Sequence, residues 1–195
     1  MRTGVFGGTF DPVHVGHIRA ARRFIEECGL DELIVVPSGT PPHKSATDAR
    51  LRYEMTRLAF SSEKNVTVSD VETRRAGVSY TFDTLCGLEK DGDELYLLCG
   101  SDMLMKFDGW HRSEDILRMC TLAVIVRDGR PEEKRAVTEK AHEIRKRGGK
   151  VVLICDGALS VSSTLVREKL SAGEDVGGCL SPEVYAFIKE KGLYK

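Results

Sequence analysis

The stretch TGVFGGTFDPVHVGHIRAARRFIEEC, residues 3–28, places a short apolar run, a glycine-rich turn and an amphipathic segment in succession. Residues 3–6 have the length and composition of a buried strand. Between residues 18 and 28 the apolar side chains recur with the 3.6-residue period of a helix. Gly7 and Gly8 lie between the two, as in a tight strand-to-helix turn. The stretch therefore predicts the first strand and the first helix of an α/β unit.

The same alternation continues along the rest of the chain. Residues 48–60 repeat apolar residues at helical spacing, with Leu51, Met55, Leu58 and Ala59 on one face. Six short apolar runs are predicted as buried parallel strands: residues 3–6, 33–36, 65–69, 95–99, 122–126 and 151–155. Because strands that alternate with helices form a parallel sheet covered on both faces, we expect an α/β fold.

The C-terminal part of the chain has a different pattern. After the last predicted strand, residues 163–170 and 182–191 both have helical spacing, and no strand-like run lies between them. Ser181 and Pro182 are typical of a helix N-cap followed by the first helical residue. We therefore expect one domain over residues 1–195, with residues 156–195 as a C-terminal helical subdomain.

The composition argues against a nucleic-acid partner and against a membrane. The chain has 29 Lys and Arg against 30 Asp and Glu, and its net charge of −1 supplies no field that would attract a polyanion. No segment approaches the ~20 apolar residues of a membrane span, and the N-terminus is unlike a signal peptide. Six scattered cysteines without a C-x-x-C pair favour buried thiols in a reducing cytosol, so we expect a cytoplasmic protein. The oligomeric state stays open, and a homo-oligomer is compatible with the sequence.

Clusters of polar residues and glycines directly follow the predicted strands. GGTFDPVHVGH (residues 7–17) follows the first strand and PSGTPPHK (37–44) the second. GSDM (100–103) follows the fourth strand and CDGALSVSST (155–164) the last. Ligands of open parallel sheets bind outside the carboxyl ends of the strands. The sequence therefore predicts a binding site at this edge of the sheet.

The first cluster contains two histidines three residues apart, His14 and His17, at the start of a predicted helix. This spacing places both rings on the same side. A metal site is an alternative, but no third ligand with suitable spacing lies nearby. Gly7 and Gly8 serve the turn and would also let backbone N–H groups approach a phosphate. The cluster favours hydrogen-bond donation to a phosphoryl group, whose oxygens gain charge during transfer.

The last cluster, SVSSTLVR (residues 160–167), is a second candidate anion site. Ser162 or Ser163 can cap a helix, which alone would explain a serine at this place. Arg167 lies one turn beyond Ser163, so its guanidinium can reach the same anion. Hydroxyls, free amides and an arginine at one helix end predict a second phosphate site.

Four other features have two interpretations each. Lys44 is either a plain loop cation or an anion ligand on a loop stiffened by two prolines. Asp102 either accepts from a ribose hydroxyl or caps the next helix. Trp110, the only tryptophan, either packs half-buried or stacks on a planar heterocycle. The stretch SYTFDTL, residues 79–85, predicts a helix start whose hydroxyls and amides could also meet a carboxylate or an amide.

Together, GGTFDPVHVGH and SSTLVR resemble the two signatures of the nucleotidyltransferase superfamily with an HxGH motif and a late SSTxxR motif. Four further motifs are similar to those of the bacterial nicotinate mononucleotide adenylyltransferases, and they follow in order across nearly the whole chain. They are PPHK, GVSYTFDTL, GSDML with a following Phe and Trp, and YAFIKEKGLYK. The resemblance implies a Rossmann-like, doubly wound parallel sheet with a small C-terminal helical lobe. It also implies transfer of AMP from ATP to nicotinate mononucleotide, with Mg²⁺, giving nicotinate adenine dinucleotide and pyrophosphate on the way to NAD.

The resemblance further implies roles for individual residues. The catalytic residues would be His14, His17 and Arg167, which stabilise the phosphates. The ATP-binding residues would be Gly7, Gly8, Thr9, Phe10, His14, His17, Asp102, Ser162, Ser163, Thr164 and Arg167. Lys44 would bind the mononucleotide phosphate, Thr81 its carboxylate and Trp110 its pyridine ring. No residue is expected to be a metal ligand.

The chain departs from the family pattern mainly at His111, which follows Trp110 where a second aromatic residue is frequent. This leaves the packing around the pyridine open, as well as the selectivity between an acid and an amide mononucleotide. One alternative is pantetheine-phosphate adenylyltransferase, which shares the first and last motifs but has less reason to contain PPHK, SYTxDTL and the late tryptophan. The other is a non-catalytic nucleotide sensor, whose mark would be the loss of a histidine or of Arg167.

Overall fold

The computed structural model of the chain describes residues 1–40, 46–75, 77–127, 131–156 and 161–195. Strands and helices alternate along it. The strands are β1 (Arg2–Gly8), β2 (Glu32–Pro37), β3 (Val66–Val68), β4 (Glu94–Gly100), β5 (Cys120–Arg127) and β6 (Lys150–Asp156). The helices are α1 (Val15–Cys28), α2 (Ala49–Ala59), α3 (Thr81–Leu88), α4 (Ser101–Met105), α5 (Ser113–Met119), α6 (Pro131–Lys146), α7 (Ser163–Ser171) and α8 (Pro182–Lys191). A single 3₁₀ turn, Phe107–Gly109, lies between α4 and α5 among the described residues.

The six strands form one parallel sheet in the order β3-β2-β1-β4-β5-β6. The direction of this order reverses between β1 and β4, as in the Rossmann fold. Apolar residues in register form the interior: Val5 lies opposite Leu97, Leu97 opposite Leu122, and Leu122 opposite Val151, and all four are buried. All six predicted strands are present, and the predicted α/β, doubly wound parallel fold is confirmed.

The chain divides into two compact units. The first unit contains Met1–Gly7, Ala20–Ile34 and Tyr80–Ala158. The second unit contains Gly8–Arg19, Val35–Ser79 and Leu159–Lys195. The two predicted C-terminal helices are present as α7 and α8, with no strand between them, in the second unit. The division into one domain with a subdomain at residues 156–195 stays a prediction.

In the first unit, helix α1 packs closely against strand β1. A Cβ atom on Gly4 would lie 2.5 Å from Leu30 Cδ1 and 2.9 Å from Phe24 Cε1. Real side chains do not approach so closely, so glycine is the residue that fits there. Leu30 and Phe24 are both buried, and each contributes roughly 1.5–3 kcal/mol of apolar burial.

In the second unit, short polar residues begin the helices. Asp48 caps α2 by accepting from the amides of Arg50 and Leu51, at 2.9 and 3.3 Å. Ser162 caps α7 through the amide of Leu165, at 3.1 Å, which decides between the two serines predicted as caps. The buried face of α2 differs from its prediction, because it consists of Arg52, Met55, Thr56 and Ala59. The half-buried Leu51 and Leu58 lie beside that face.

The six cysteines are free, but they are not all buried. Burial raises the pKa of the Cys99 and Cys120 thiols to about 12, which keeps them protonated. Cys86 on α3 and Cys155 near the end of β6 are exposed and Cys179 is half-buried, so the prediction of buried thiols holds only for Cys28, Cys99 and Cys120. Among the described residues, no helix combines the length and the apolarity needed to span a bilayer.

Candidate active site

His14 and His17 lie side by side in the second unit, where β1 leads into α1. Their ring centroids are 3.7 Å apart, and the ring planes are inclined by 31°. His14 precedes the first residue of α1 and is 6% exposed, whereas His17 belongs to the first turn of the helix and is half-buried. The two rings therefore share one side, as their three-residue spacing predicts.

The hydrogen bonding of His17 determines what its ring can do. The backbone N–H of His14 donates to His17 Nδ1 at 3.1 Å. A neutral imidazole that accepts at Nδ1 carries its proton on Nε2. His17 therefore carries its ring proton on Nε2, and an N–H donor is what a phosphoryl oxygen needs.

Gly16 and Phe10 are neighbours of the two rings. A Cβ atom on Gly16 would lie 3.0 Å from Cε1 and Nδ1 of His14, so the residue between the histidines leaves room for the His14 ring. Phe10 is buried, and its edge meets the His17 ring at a centroid distance of 4.9 Å. The Phe10 side chain thus packs on a histidine, and the nucleotide contact predicted for this residue stays a prediction.

The start of α7 binds the histidine loop, as we name residues 9–14 between β1 and α1. Ser163 Oγ donates to the carbonyl of Pro12 at 2.9 Å, and Arg167 Nη1 donates to the carbonyl of Asp11 at 2.6 Å. Arg167 Nη2 lies 3.4 Å from the hydroxyl of the exposed Thr164. The structure thus brings together two predicted motifs, and it shows that Ser163 and Arg167 hold the loop of the histidines.

Asp11, which sequence reasoning left without a role, is the centre of a second set of contacts. Its carboxylate is buried and accepts from the Tyr194 hydroxyl at 2.6 Å and from the Thr47 amide at 3.1 Å. Burial, together with the Asp11 carboxylate, raises the pKa of Tyr194 well above the ordinary tyrosine value. Tyr194 belongs to the closing YAFIKEKGLYK motif. A tyrosine beyond the end of the last predicted helix is therefore the only feature of the sequence that indicates this contact.

Thr81 and Trp110, the residues predicted to bind the pyridine nucleotide, lie in the first unit. Thr81 is the first residue of α3, and Trp110 follows the 3₁₀ turn. Their chain neighbours Tyr80 and His111 are in ring contact, with centroids 4.5 Å apart. Trp110 is half-buried, and its ring lies 5.3 Å from that of Phe107. The segments of Thr81 and Trp110 therefore contact each other, and the unusual His111 packs on a tyrosine.

Asp102 and Gly7 also lie in the first unit, whereas Lys44 lies outside the described residues. Asp102 is exposed in the first turn of α4, and no side-chain hydrogen bond within the described chain caps that helix. The capping interpretation of Asp102 thus has no support. A Cβ atom on Gly7 would meet no described atom within 4 Å, while one on Gly8, in the second unit, would lie 2.9 Å from the Phe10 ring.

Comparison with known proteins supports the family predicted from the sequence motifs. The model of the cytidylyltransferase-like family matches residues 5–169. A relative from Clostridium kluyveri, named "Probable nicotinate-nucleotide adenylyltransferase", is 38% identical over 202 residues and covers 100% of both chains. A relative of the same name from Clostridium botulinum (strain Kyoto) is 34% identical over 200 residues, again with 100% of both chains covered.

A solved structure extends the comparison to the fold. The Plasmodium falciparum nicotinic acid mononucleotide adenylyltransferase complexed with NaAD matches with a TM-score of 0.82 and 21% identity, over 99% of this chain and 97% of that chain. At this identity the likeness shows a shared fold. The superfamily predicted from the HxGH and SSTxxR motifs is confirmed by the family model, and the narrower family predicted from the other motifs is confirmed by the relatives. The chain therefore belongs to the cytidylyltransferase-like family and, within it, to the nicotinate-nucleotide adenylyltransferases.

Proposed function

We propose that this chain transfers AMP from ATP to nicotinate mononucleotide, giving nicotinate adenine dinucleotide and pyrophosphate. The relatives that carry the name of this activity match the chain along its whole length. The observation that carries the proposal is the binding of α7 to the histidine loop, which unites the HxGH and SSTxxR motifs in one place. The product is a dinucleotide precursor of NAD, so the enzyme acts in pyridine nucleotide biosynthesis.

The reaction is a direct displacement at phosphorus. A phosphate oxygen of the mononucleotide attacks the α-phosphorus of ATP, and the bond from that phosphorus to the pyrophosphate oxygen breaks in line with the attack. The attacking phosphate is already anionic, so no base has to remove a proton from it. Positioning and stabilisation of the charge on the phosphate oxygens then supply most of the rate.

Within this reaction, we assign the histidines to the phosphates of ATP. His17 Nε2–H donates to an oxygen that gains charge, and His14 lies beside it. Arg167 donates one N–H to the Asp11 carbonyl, and the guanidinium has further N–H groups that would donate to the anion. The exposed Thr164 hydroxyl supplies another donor at the start of α7.

The remaining assignments concern groups that recognise the two substrates. Asp102 would accept hydrogen bonds from a ribose, an interpretation favoured by its exposure after β4. Trp110 would stack on the pyridine ring, with Thr81 at the carboxylate. Lys44 would bind the mononucleotide phosphate. Backbone N–H groups of the glycine turn, the histidine loop and the start of α7 would contact the nucleotide. These residues are Gly7, Gly8, Thr9, Phe10, Ser162 and Ser163.

We propose Mg²⁺ as the metal that accompanies ATP. In the part of the chain that the structure describes, no group of three or more His, Cys, Asp or Glu side chains could hold a metal ion. Mg²⁺ keeps several waters and binds mainly through substrate phosphates, so the donor set fits an ion that arrives with the triphosphate. Bound there, it neutralises part of the phosphate charge, and we assign no side chain to it.

The location and the partners of the chain are proposed from its composition. We propose a cytoplasmic enzyme, on the cysteine pattern, with ATP and nicotinate mononucleotide as its ligands. The balanced charge supports the prediction that it binds no nucleic acid. Whether the chain forms a homo-oligomer is open to a measurement of its mass in solution.

A substrate comparison tests the function. Purified protein is supplied with ATP, Mg²⁺ and nicotinate mononucleotide, nicotinamide mononucleotide or phosphopantetheine, and pyrophosphate release is followed. We expect turnover with the pyridine mononucleotides and none with phosphopantetheine. The ratio of kcat/KM for the acid and the amide gives the selectivity. Preferential turnover of phosphopantetheine would overturn the assignment, and binding of ATP without any turnover would make the chain a sensor.

A further inference from the structure

Arg52 of α2 is buried almost completely, with 1% of its surface exposed, in the second unit. A guanidinium is rarely buried to this extent, because its removal from water costs free energy unless its N–H groups are bonded. Arg52 occupies the face of α2 that also contains Met55 and Ala59, where an apolar residue would satisfy the packing. The use of arginine at this position therefore calls for a specific reason.

The hydrogen bonds of Arg52 supply that reason. Nε donates to the Thr47 carbonyl at 2.8 Å, Nη1 to the Thr9 carbonyl at 2.8 Å, and Nη2 to the Gly39 carbonyl at 2.7 Å. Nη1 also lies 3.4 Å from Ser38 Oγ. The planar fork of arginine can serve three separate carbonyls at once, which the single ammonium of lysine cannot do in the same geometry.

One of these carbonyls, that of Thr9, belongs to a segment to which the proposed function assigns a substrate, and the other two lie before and after Lys44 in the sequence. Thr9 begins the histidine loop, which is proposed to bind ATP. Gly39 follows β2, and Thr47 precedes α2, on the other side of residues 41–45, which lie outside the described residues. Thr47 is held twice, since its N–H donates to Asp11 at 3.1 Å while its carbonyl accepts from Arg52. One side chain thus connects the histidine loop to the chain on both sides of Lys44.

The charges around Arg52 are consistent with a structural role for its guanidinium. Burial lowers the pKa of the Arg52 guanidinium, and the carboxylates of Asp11, Asp48 and Glu72 partly offset this effect. A buried charge that loses its partners is strongly unfavourable, so the carbonyls and the guanidinium stabilise one arrangement together.

We propose that Arg52 is a positioning residue for AMP transfer. It fixes the histidine loop relative to the segments at Gly39 and Thr47, so that the two substrates meet in line. It touches no substrate and acts through the backbone of Thr9 and Thr47. The proposal rests on the proposed function for the identity of the substrates, whereas the loop geometry is independent of it.

The test compares Arg52→Lys and Arg52→Gln with Arg57→Lys and Arg57→Gln. Arg57 is a matched control, because it lies on the same helix with its side chain 61% exposed. At a temperature well below unfolding, we expect kcat of the Arg52 variants to fall by about ten- to a hundredfold, because small misplacements of reacting groups are costly. The KM of each substrate should change by less than about threefold, since each segment keeps its own contacts. The Arg57 variants should match the unmodified protein.

Hydrogen exchange in the absence of ligands gives a readout that needs no activity. In Arg52→Lys the amide of Thr47 should exchange at least about tenfold faster, because loss of a charge-assisted bond frees the segment. The amide of Leu122 in β5 should stay within about twofold of the unmodified protein. If the unmodified protein transfers no AMP, the proposed function fails while the exchange of Thr47 still decides the positioning role.

Three results would overturn the proposal. The first is unchanged exchange of the Thr47 amide in folded Arg52→Lys. The second is a kcat within about twofold of the unmodified protein. The third is loss of the folded circular dichroism spectrum in both Arg52 variants, which would show that the residue serves only stability.

Discussion

The charged side chains around the histidine loop in the second unit and those around Asp108 in the first unit are used in opposite ways. In the second unit, Arg52 and Arg167 donate to backbone carbonyls, and Asp11 accepts from a backbone amide and a phenol. In the first unit, Asp108 forms ion pairs with Lys140 and Arg147 at the surface. The charges around the histidine loop therefore fix the course of the chain, whereas those around Asp108 mainly satisfy one another.

This difference determines how much a substitution should cost. A surface ion pair contributes about 0–1 kcal/mol, because water and salt screen it and long side chains lose entropy. A buried hydrogen bond to a charged group contributes about 1.5–3 kcal/mol, and its loss leaves a partner unsatisfied. Substitutions around the histidine loop should therefore affect turnover, and those in the surface network should affect stability slightly.

The largest effect is expected at His17. In His17→Ala, loss of the Nε2–H donor should lower kcat by about 10²–10³, as for other donors to transition-state charge. His17→Gln places an amide N–H near the position of Nε2, so it should retain more activity than His17→Asn, whose amide lies nearer Nδ1. Steady-state kinetics with ATP and nicotinate mononucleotide check the order.

The binding of nicotinate mononucleotide serves as the control for His17. Calorimetric titration should give affinities within about twofold of the unmodified protein in all three variants, because the donor acts on the transition state. Equal activity of the Gln and Asn variants would contradict the assigned Nε2–H donor. Full activity of His17→Ala would remove the residue from the reaction.

The fold and the motifs could be predicted because their signals are local. Each strand is an apolar run of its own, and the caps at Asp48 and Ser162 depend on amides two or three residues away. The HxGH spacing alone indicates that His14 and His17 share one side.

The partners of the loop could not be predicted because they are distant in the chain. Ser163 and Pro12 are 151 positions apart, and Tyr194 and Asp11 are 183 apart. A serine or arginine at a helix start can bind either an anion or a backbone carbonyl. Which of the two it binds depends on tertiary packing, which the sequence does not reveal. The burial of Arg52 could have been predicted from its spacing alone, since it lies three and seven residues before Met55 and Ala59 on the buried face.

The next largest effect is expected at Tyr194. Tyr194→Phe removes only the hydroxyl that donates to Asp11, and we expect the free energy of unfolding to fall by about 1.5–3 kcal/mol. Because Asp11 belongs to the histidine loop, kcat should fall several-fold as well. Urea denaturation and steady-state kinetics measure the two quantities.

Tyr185→Phe is the matched control for Tyr194. Tyr185 is exposed on α8, so the same change should alter the free energy of unfolding by no more than about 0.5 kcal/mol and leave kcat unchanged. If the two variants behave alike, the contact between Tyr194 and Asp11 has no energetic role.

Two adjacent serines separate stability from positioning. Ser162→Ala removes the cap of α7 and should lower the free energy of unfolding by about 1 kcal/mol, with little effect on kcat. Ser163→Ala removes the bond to the Pro12 carbonyl and should cost a similar free energy, but it should also lower kcat. Urea denaturation and kinetics of both variants check this. A kcat that falls equally in both would show that the helix start, and not its bond to the histidine loop, matters.

The smallest effect is expected in the surface network of the first unit. Hydrogen bonds from Lys140 and Arg147 lower the pKa of Asp108 below its ordinary value. Because the folded pKa is the lower one, the stabilisation is fully present above the unfolded value of about 3.9 and is lost as the pH falls through the folded value. Asp108 is 51% exposed, so Asp108→Asn should cost less than about 1 kcal/mol at pH 7.

The pH and salt dependence of Asp108→Asn decides whether the ion pairs cause the effect. Urea denaturation of both proteins at pH 7 and at a series of pH values below about 4 should give a difference that shrinks as the pH falls through the lowered pKa of Asp108 in the folded protein. At about 1 M salt the difference should also shrink at pH 7, because screening shortens the reach of exposed charges. A difference of more than about 2 kcal/mol, or one that persists at low pH, would mean that Asp108 stabilises the fold by more than its exposed ion pairs. The contrast between the Asp108 network and the charges around the histidine loop would then fail.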